Sequence, residues 1–198
     1  MPIINMVYKK KKWLPSAYQE VEYIQSSGTQ YFVVWTSFKT SYKSVTDFQM
    51  TQTWGDQVVI WVNYWYRYWI NAYSSKFKVI TWWGSWSDTI SEDTNRHTLT
   101  IDKSTATVDG NNYTISWYTN VTVNWWIWVF AHNDNWVGNY FARVKMYKLD
   151  IYDESLVHIY DLVPCYRKSD NVIGMYDTVN NQFYTNSWTG TFTKWPNV

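Results

Sequence analysis

The chain is 198 residues long, with 17 Lys and Arg against 16 Asp and Glu, a net charge of +1, and 46% hydrophobic residues. That length suits one domain with a sizeable core, and a balanced charge with no long basic face removes the electrostatic footprint of a nucleic-acid binder. A single cysteine, Cys165, excludes an internal disulfide and cannot by itself make a structural zinc site. No run approaches the length of a membrane span, and the N-terminal charges follow a short apolar stretch instead of preceding a long one, so neither membrane insertion nor a Sec signal is expected.

Residues 1–13 read as a basic lead-in or tether ending in Lys9 to Lys12, and residues 14–198 as a single domain. Ser16 to Gln19 fits a weak capping box, but Pro15 limits it to one helical turn. Gln19 to Ile24 then reads as a strand, Ser26-Ser27-Gly28 as a turn, and Gln30 to Val34 as the next strand. Leu99 and Ile101 alternate with threonines, Ala106 and Val108 return after Lys103-Ser104-Thr105, and Asp109-Gly110-Asn111-Asn112 turns the chain into Tyr113 and Ile115. Arg143 to Tyr152 and Leu156 to Val163 pair across Asp153-Glu154-Ser155, and Val172 to Asp177 reverses near Asn180-Asn181 into Phe183-Tyr184. Strand formers are plentiful, Leu, Ala and Glu are scarce, and no long helix is predicted. The expected fold is all-β, with antiparallel sheets in a sandwich or barrel.

Sixteen tryptophans stand beside seven glycines, where average usage predicts roughly 14 glycines. An all-β chain needs tight turns, and tight turns need glycine for positive φ. In Val58 to Asn71 one alternate set (Val58, Ile60, Val62, Tyr64, Tyr66, Tyr68, Ile70) reads as an inward face, and the other is Val59, Trp61, Asn63, Trp65, Arg67, Trp69, Asn71. With glycine in place of tryptophan the second face becomes small and polar, and one-sided alternation returns. The same exchange makes Thr81 to Ser87 a Gly/Ser-rich loop, Asn135-Trp136 an Asn-Gly turn and Trp54-Gly55-Asp56 a Gly-Gly-Asp turn. A bulky residue at positive φ costs about 1–2 kcal/mol. The expectation is that most tryptophans are glycine in the source organism, through UGA codons read there as glycine (UGA recoding) and translated here as tryptophan. Taken literally, Trp61, Trp65 and Trp69 form an aromatic row, unless a hairpin at Asn63 to Tyr66 breaks it.

The run Leu14-Pro15-Ser16-Ala17-Tyr18-Gln19-Glu20-Val21-Glu22-Tyr23-Ile24-Gln25-Ser26-Ser27-Gly28-Thr29-Gln30-Tyr31 resembles the opening of the LamG-like, concanavalin A-like lectin/glucanase domains of phage tail and bacterial surface proteins. His97 to Gly110 resembles that family's central hairpin, and Val163 to Asp170, Gly174 to Asp177 and Phe183 to Phe192 resemble its C-terminal block. The resemblance spans about residues 14–196 and departs at Trp35, Trp188 and Trp195, where the family carries glycine, and at Val33-Val34, where Asp-Thr is usual. It implies a two-sheet antiparallel jelly-roll sandwich, and fold alone does not give function.

Hydrolases of this broad fold resemble one another in a Glu-x-Asp-x-x-Glu strand that sets two carboxyls on one face, and the chain lacks it. Glu92-Asp93 and Asp153-Glu154 read as solvated turn acids, and His97, His132 and His158 have no metal or triad spacing. The expectation is therefore not an enzyme. Asn133, Asp134 and Asn135 supply hard oxygens that a calcium ion would accept, against the plainer and favoured reading of a polar turn between strands. For a sugar, Tyr64, Tyr66, Arg67, Tyr68 and Asn71 offer aromatic faces with polar groups, against the plainer reading that the tyrosines face the core. Cys165 reads as a small buried residue. The expected function is a non-enzymatic recognition or structural module of a phage or prophage virion, tail-associated, binding a host surface glycan or another virion protein. The alternative is an extracellular adhesin module at a bacterial cell surface, and a glycoside hydrolase is a third class.

Overall fold

The computed structural model describes residues 14–62, 68–73, 76–81, 84–86, 90–134 and 137–198. These residues form 18 strands, numbered in chain order, and no helix. Ten strands make one sheet: β1 (Tyr18–Ser27), β3 (Lys43–Met50), β8 (Arg96–Asp102), β9 (Thr105–Val108), β10 (Asn111–Thr114), β14 (Arg143–Tyr152), β15 (His158–Arg167), β16 (Ile173–Asp177), β17 (Gln182–Thr185) and β18 (Thr193–Asn197). Six make a second, in the order β2 (Phe32–Lys39), β11 (Thr122–Val129), β4 (Gln57–Val62), β5 (Tyr68–Tyr73), β6 (Lys76–Thr81) and β7 (Gly84–Trp86). A separate hairpin pairs β12 (His132–Asp134) with β13 (Val137–Asn139). All named pairings are antiparallel. One core cluster draws on both large sheets, with Val21, Phe48, Leu99, Met146 and Leu162 from the first and Phe32, Ile60, Ile70, Val79 and Ile127 from the second. The architecture is a β-sandwich, and the basic lead-in falls outside the described residues.

The clearest sequence patterns became the cleanest strands. In β3 the burial alternates residue by residue, and its partner β8 alternates in phase, as a sheet with one face on a core requires. The Asp109-Gly110 turn has positive φ at both positions, 49° and 86°, the geometry that joins twisted strands tightly. Two expectations shift. The strand before Gly28 runs through Ser27, and the next does not pair with it: Gly28 (φ 99°) turns the chain from β1 in one sheet toward β2 in the other. In β4 a bulge lies between Val58 and Ile60, so Val59 joins Ile60 and Val62 in the main core and Val58 joins Trp61 in a second cluster. Strict alternation had placed Val58 inward, and the extra residue at the bulge reverses it.

Candidate functional site

The bulge gives the six-stranded sheet an outward face unlike an ordinary solvated one. Val58, Trp61 and Trp128 are buried there with Tyr31 and Ala131, all apart from the main core, with Phe141 packed against them. Register explains the gathering, because Trp128 of β11 stands opposite Trp61 of β4, which stands opposite Trp69 of β5. Trp126 is likewise opposite Trp35. These positions thus lie side by side across strands, and Trp61 and Trp69 are on different strands, since β4 ends at Val62 and β5 returns antiparallel from Tyr68; Trp65 lies outside the described residues.

The β12–β13 hairpin lies over this face. His132 meets the Trp61 ring edge-on at 4.9 Å and Tyr140 at 5.7 Å, and Tyr31 stacks on Trp128 at 4.6 Å. Gly138 permits the approach: a Cβ there would come within 2.9 Å of both the Phe141 and Tyr31 rings.

The polar atoms on this face that make no hydrogen bond include the indole nitrogens of Trp61 and Trp128 and the side-chain oxygen of Asn71. Their residues are 1%, 2% and 6% exposed, and a buried unpaired polar group costs about 1–3 kcal/mol. Asn71 belongs to the outward side because its neighbours Ile70 and Ala72 are in the main core. It stands opposite Val58 and Lys78.

Of the residues expected to bind sugar, Asn71 is thus on the face, and Tyr68 lies in β5 opposite Val62 and Thr81. Tyr64, Tyr66 and Arg67 lie outside the described residues. For the calcium expectation, Asn133 is buried in β12, Asp134 ends that strand opposite Val137, and Asn135 lies outside the described residues. Among the described residues no three His, Cys, Asp or Glu side chains come together as a metal site.

The turn acids divide. Asp153 accepts hydrogen bonds from the backbone N–H groups of Ser155 and Val157, and Glu154 accepts them from Lys39 and Ser41. Asp93 accepts two from Asn95. Glu92 departs from the expectation of a solvated acid. It is 8% exposed, Gln57 Nε2 reaches its Oε1 at 3.5 Å, and its Oε2 has no partner. Burial pushes its pKa up to about 7.

His97, buried beside Phe48 and Phe77, has Asp109 at 2.6 Å from Nδ1 and Asp93 at 2.9 Å from Nε2. Burial lowers its pKa, but the two carboxylates outweigh burial and hold it above the usual histidine value. With both nitrogens engaged it has no free lone pair to act as a base. Asp150 is buried with Lys148 at 2.7 Å, and His158 approaches its free Oδ1 only to 3.7 Å. The Cys165 thiol is fully buried and pushed up to about 12 by that burial.

Sequence reasoning singled out Asn71 but missed what encloses it. The bulge and the cross-strand tryptophan register depend on pairing, which a single strand does not reveal. The His97 clamp had a faint trace, since the Asp109-Gly110 turn follows a strand of the right length to return Asp109 beside His97.

No known family's sequence profile matches the chain, and no curated protein is significantly similar to it.

Proposed function

We propose that the chain is a non-enzymatic recognition module, a concanavalin A-like jelly roll that binds a surface glycan on the outward face of its six-stranded sheet. The observation that carries this reading is the Asn71 carbonyl oxygen, buried at 6% exposure without a hydrogen-bond donor on a face lined by Tyr31 and Phe141. A sugar ring supplies both what the oxygen lacks, a hydroxyl donor, and what aromatic faces favour, an apolar ring side. Three of the four turn acids are engaged elsewhere, since Asp153 and Asp93 close their own turns and Glu154 pairs with Lys39, and the fourth, Glu92, is buried with a free Oε2.

The phage-tail setting is the reading the resemblance favours, and tail, baseplate and lysis genes beside this one would support it over a cell-surface adhesin. The binding claim is tested with the protein purified from its natural source on immobilised maltotetraose, cellotetraose and chitotetraose and on bacterial surface polysaccharides. Retention without release of reducing sugar is expected. Turnover abolished by a carboxylate variant, or no retention on any of these surfaces, overturns it.

A further inference from the structure

The tryptophans that line and enclose this face present a contradiction. Trp61 and Trp128 bury indole N–H groups that donate to nothing, although a buried indole usually finds an acceptor. Trp117 has φ 58° and is 84% exposed. Of the other bulky residues with positive φ among those described, Tyr140 and Leu156 are exposed, at 48% and 61%, but hydrogen-bonded through the backbone, with the Tyr140 N–H donating to Asn139. Phe130 is fully buried and its backbone bonds to Val59 and Ala142, and the Leu156 N–H donates to Asp153 in its turn. Trp117 is the most exposed of the set and lacks the burial that holds Phe130, and glycine adopts this backbone without strain. The other described tryptophans do not have positive φ, which removes Trp54 from the strained turns; Trp82, Trp83 and Trp136 lie outside the described residues, and the sheet positions point the same way by a different route. In register, residues 128, 61 and 69 occupy three adjacent strands, and a glycine within a strand marks a place where another backbone or a ligand comes close.

We infer that positions 61, 69, 117 and 128 are glycine in the protein as its source makes it, through UGA codons read as glycine, and that the strip across β11, β4 and β5 is then an open trough in which a sugar ring reaches Asn71. The trough rests on the glycan reading above; the glycine assignment does not. Removing the indoles abolishes both orphan N–H groups and leaves bare backbone beside the unpaired Asn71 oxygen. Tyr31 and Phe141 remain as the aromatic wall, and the β12–β13 hairpin as the roof.

The first test is the gene and the natural protein. UGA codons, with glycine found at these positions by peptide mass spectrometry, are expected; UGG codons or tryptophan peptides overturn the assignment. Stability gives an independent check at one position. Trp117→Gly in the tryptophan-bearing chain is expected to raise the unfolding midpoint by about 2–4 °C, and a lowered midpoint removes Trp117 from the set.

The trough is tested by making two full chains, one with tryptophan and one with glycine at all 16 tryptophan positions. Both are titrated with maltotetraose, cellotetraose and chitotetraose. Binding at least ten-fold tighter by the glycine chain, and lost on Asn71→Ala with an unchanged unfolding midpoint, is the expected result. Equal binding by both chains, or binding indifferent to Asn71→Ala, overturns the trough. If the codons are UGA and the glycine chain binds none of the three, the glycan site is wrong while the glycine assignment stands.

Discussion

The two outward faces of the sandwich obey different rules. On the ten-stranded sheet long side chains cover the outward face where β1, β3, β8 and the first half of β14 meet, while farther along β14 Asp150 is buried on that face with a free Oδ1. Tyr23 and Tyr147 meet edge-on at 5.3 Å, Lys145 lies over Tyr23 at 4.6 Å, and the Arg96 guanidinium lies over Tyr147 at 3.7 Å while binding both oxygens of Asp47. Its aromatics keep their polar ends paired, as when the Tyr147 hydroxyl donates to Gln49. On the six-stranded sheet the corresponding face is buried under a hairpin and leaves Asn71, Trp61 and Trp128 with unpaired polar atoms. Around Tyr23, Tyr147 and Arg96 the first face reads as finished surface. The second is built as an interior and lacks the hydrogen bonds an interior demands.

The largest expected effect tests whether the second face is truly interior. Tyr31 is 5% exposed, stacked on Trp128, and its N–H donates to Asn186. Tyr31→Ala is expected to lower the unfolding free energy by about 3–5 kcal/mol in urea titration, the range for losing a large buried aromatic. A loss below about 1 kcal/mol would make the face ordinary surface and dissolve the comparison.

A second test uses pH, because the segment that leads into β8 carries two groups whose protonated forms the fold favours. Glu92 is raised from its ordinary 4.5 to about 7 by burial. Its contribution is complete below pH 4.5, falls as the unfolded chain ionises, and is gone once pH passes about 7. The shift corresponds to about 3 kcal/mol. His97 is also raised, against the pull of burial, by Asp109 and Asp93. It adds a loss of the same sign that is complete below the ordinary histidine value and disappears as pH rises through the folded one. Thermal unfolding from pH 4.5 to 8.5 is expected to show stability declining across both windows. Glu92→Gln should flatten the lower limb and leave the upper one. A variant that declines as steeply as the unaltered chain between pH 4.5 and 7 would locate the proton elsewhere.

Much of the fold was legible, and the reason is local. Where turn chemistry and alternation agree, as in β8 to β10 around Asp109-Gly110 and in β14 to β17, neighbouring residues decide pairing, so strand positions follow from sequence. Residues 143–187 hold no tryptophan, and there expectation and structure agree most closely. The candidate site was legible only as Asn71. Its setting depends on the bulge at Val59 and on a hairpin roughly 60 positions on that packs against Trp61 of the neighbouring strand, neither of which leaves a periodic trace. The same tryptophans bear on the absent family match, because a profile that expects glycine at turns and within strands scores tryptophan there as a mismatch. The gene translated with UGA as glycine is expected to match a lectin/glucanase family profile. A restored sequence that still matches none would leave the resemblance without support.

The smallest expected effect probes the solvated face. Arg96 binds Asp47 through Nε at 2.8 Å and through a terminal nitrogen at 2.7 Å, with Glu22 at 3.9 Å. The geometry is bidentate, the best an ion pair attains, yet the Arg96 side chain is 49% exposed. Water and salt screen such a pair, and holding two long side chains in one arrangement costs entropy. The Tyr147 ring beneath the guanidinium offsets part of that cost, since it stays in place when the carboxylate is removed. Asp47→Asn is therefore expected to cost less than about 1 kcal/mol in urea titration at low salt, and less still at high salt as screening grows. A larger, salt-independent loss would mean that Asp47 is desolvated. The ten-stranded sheet would then present a second interior-like face, and the contrast between the two faces would no longer hold.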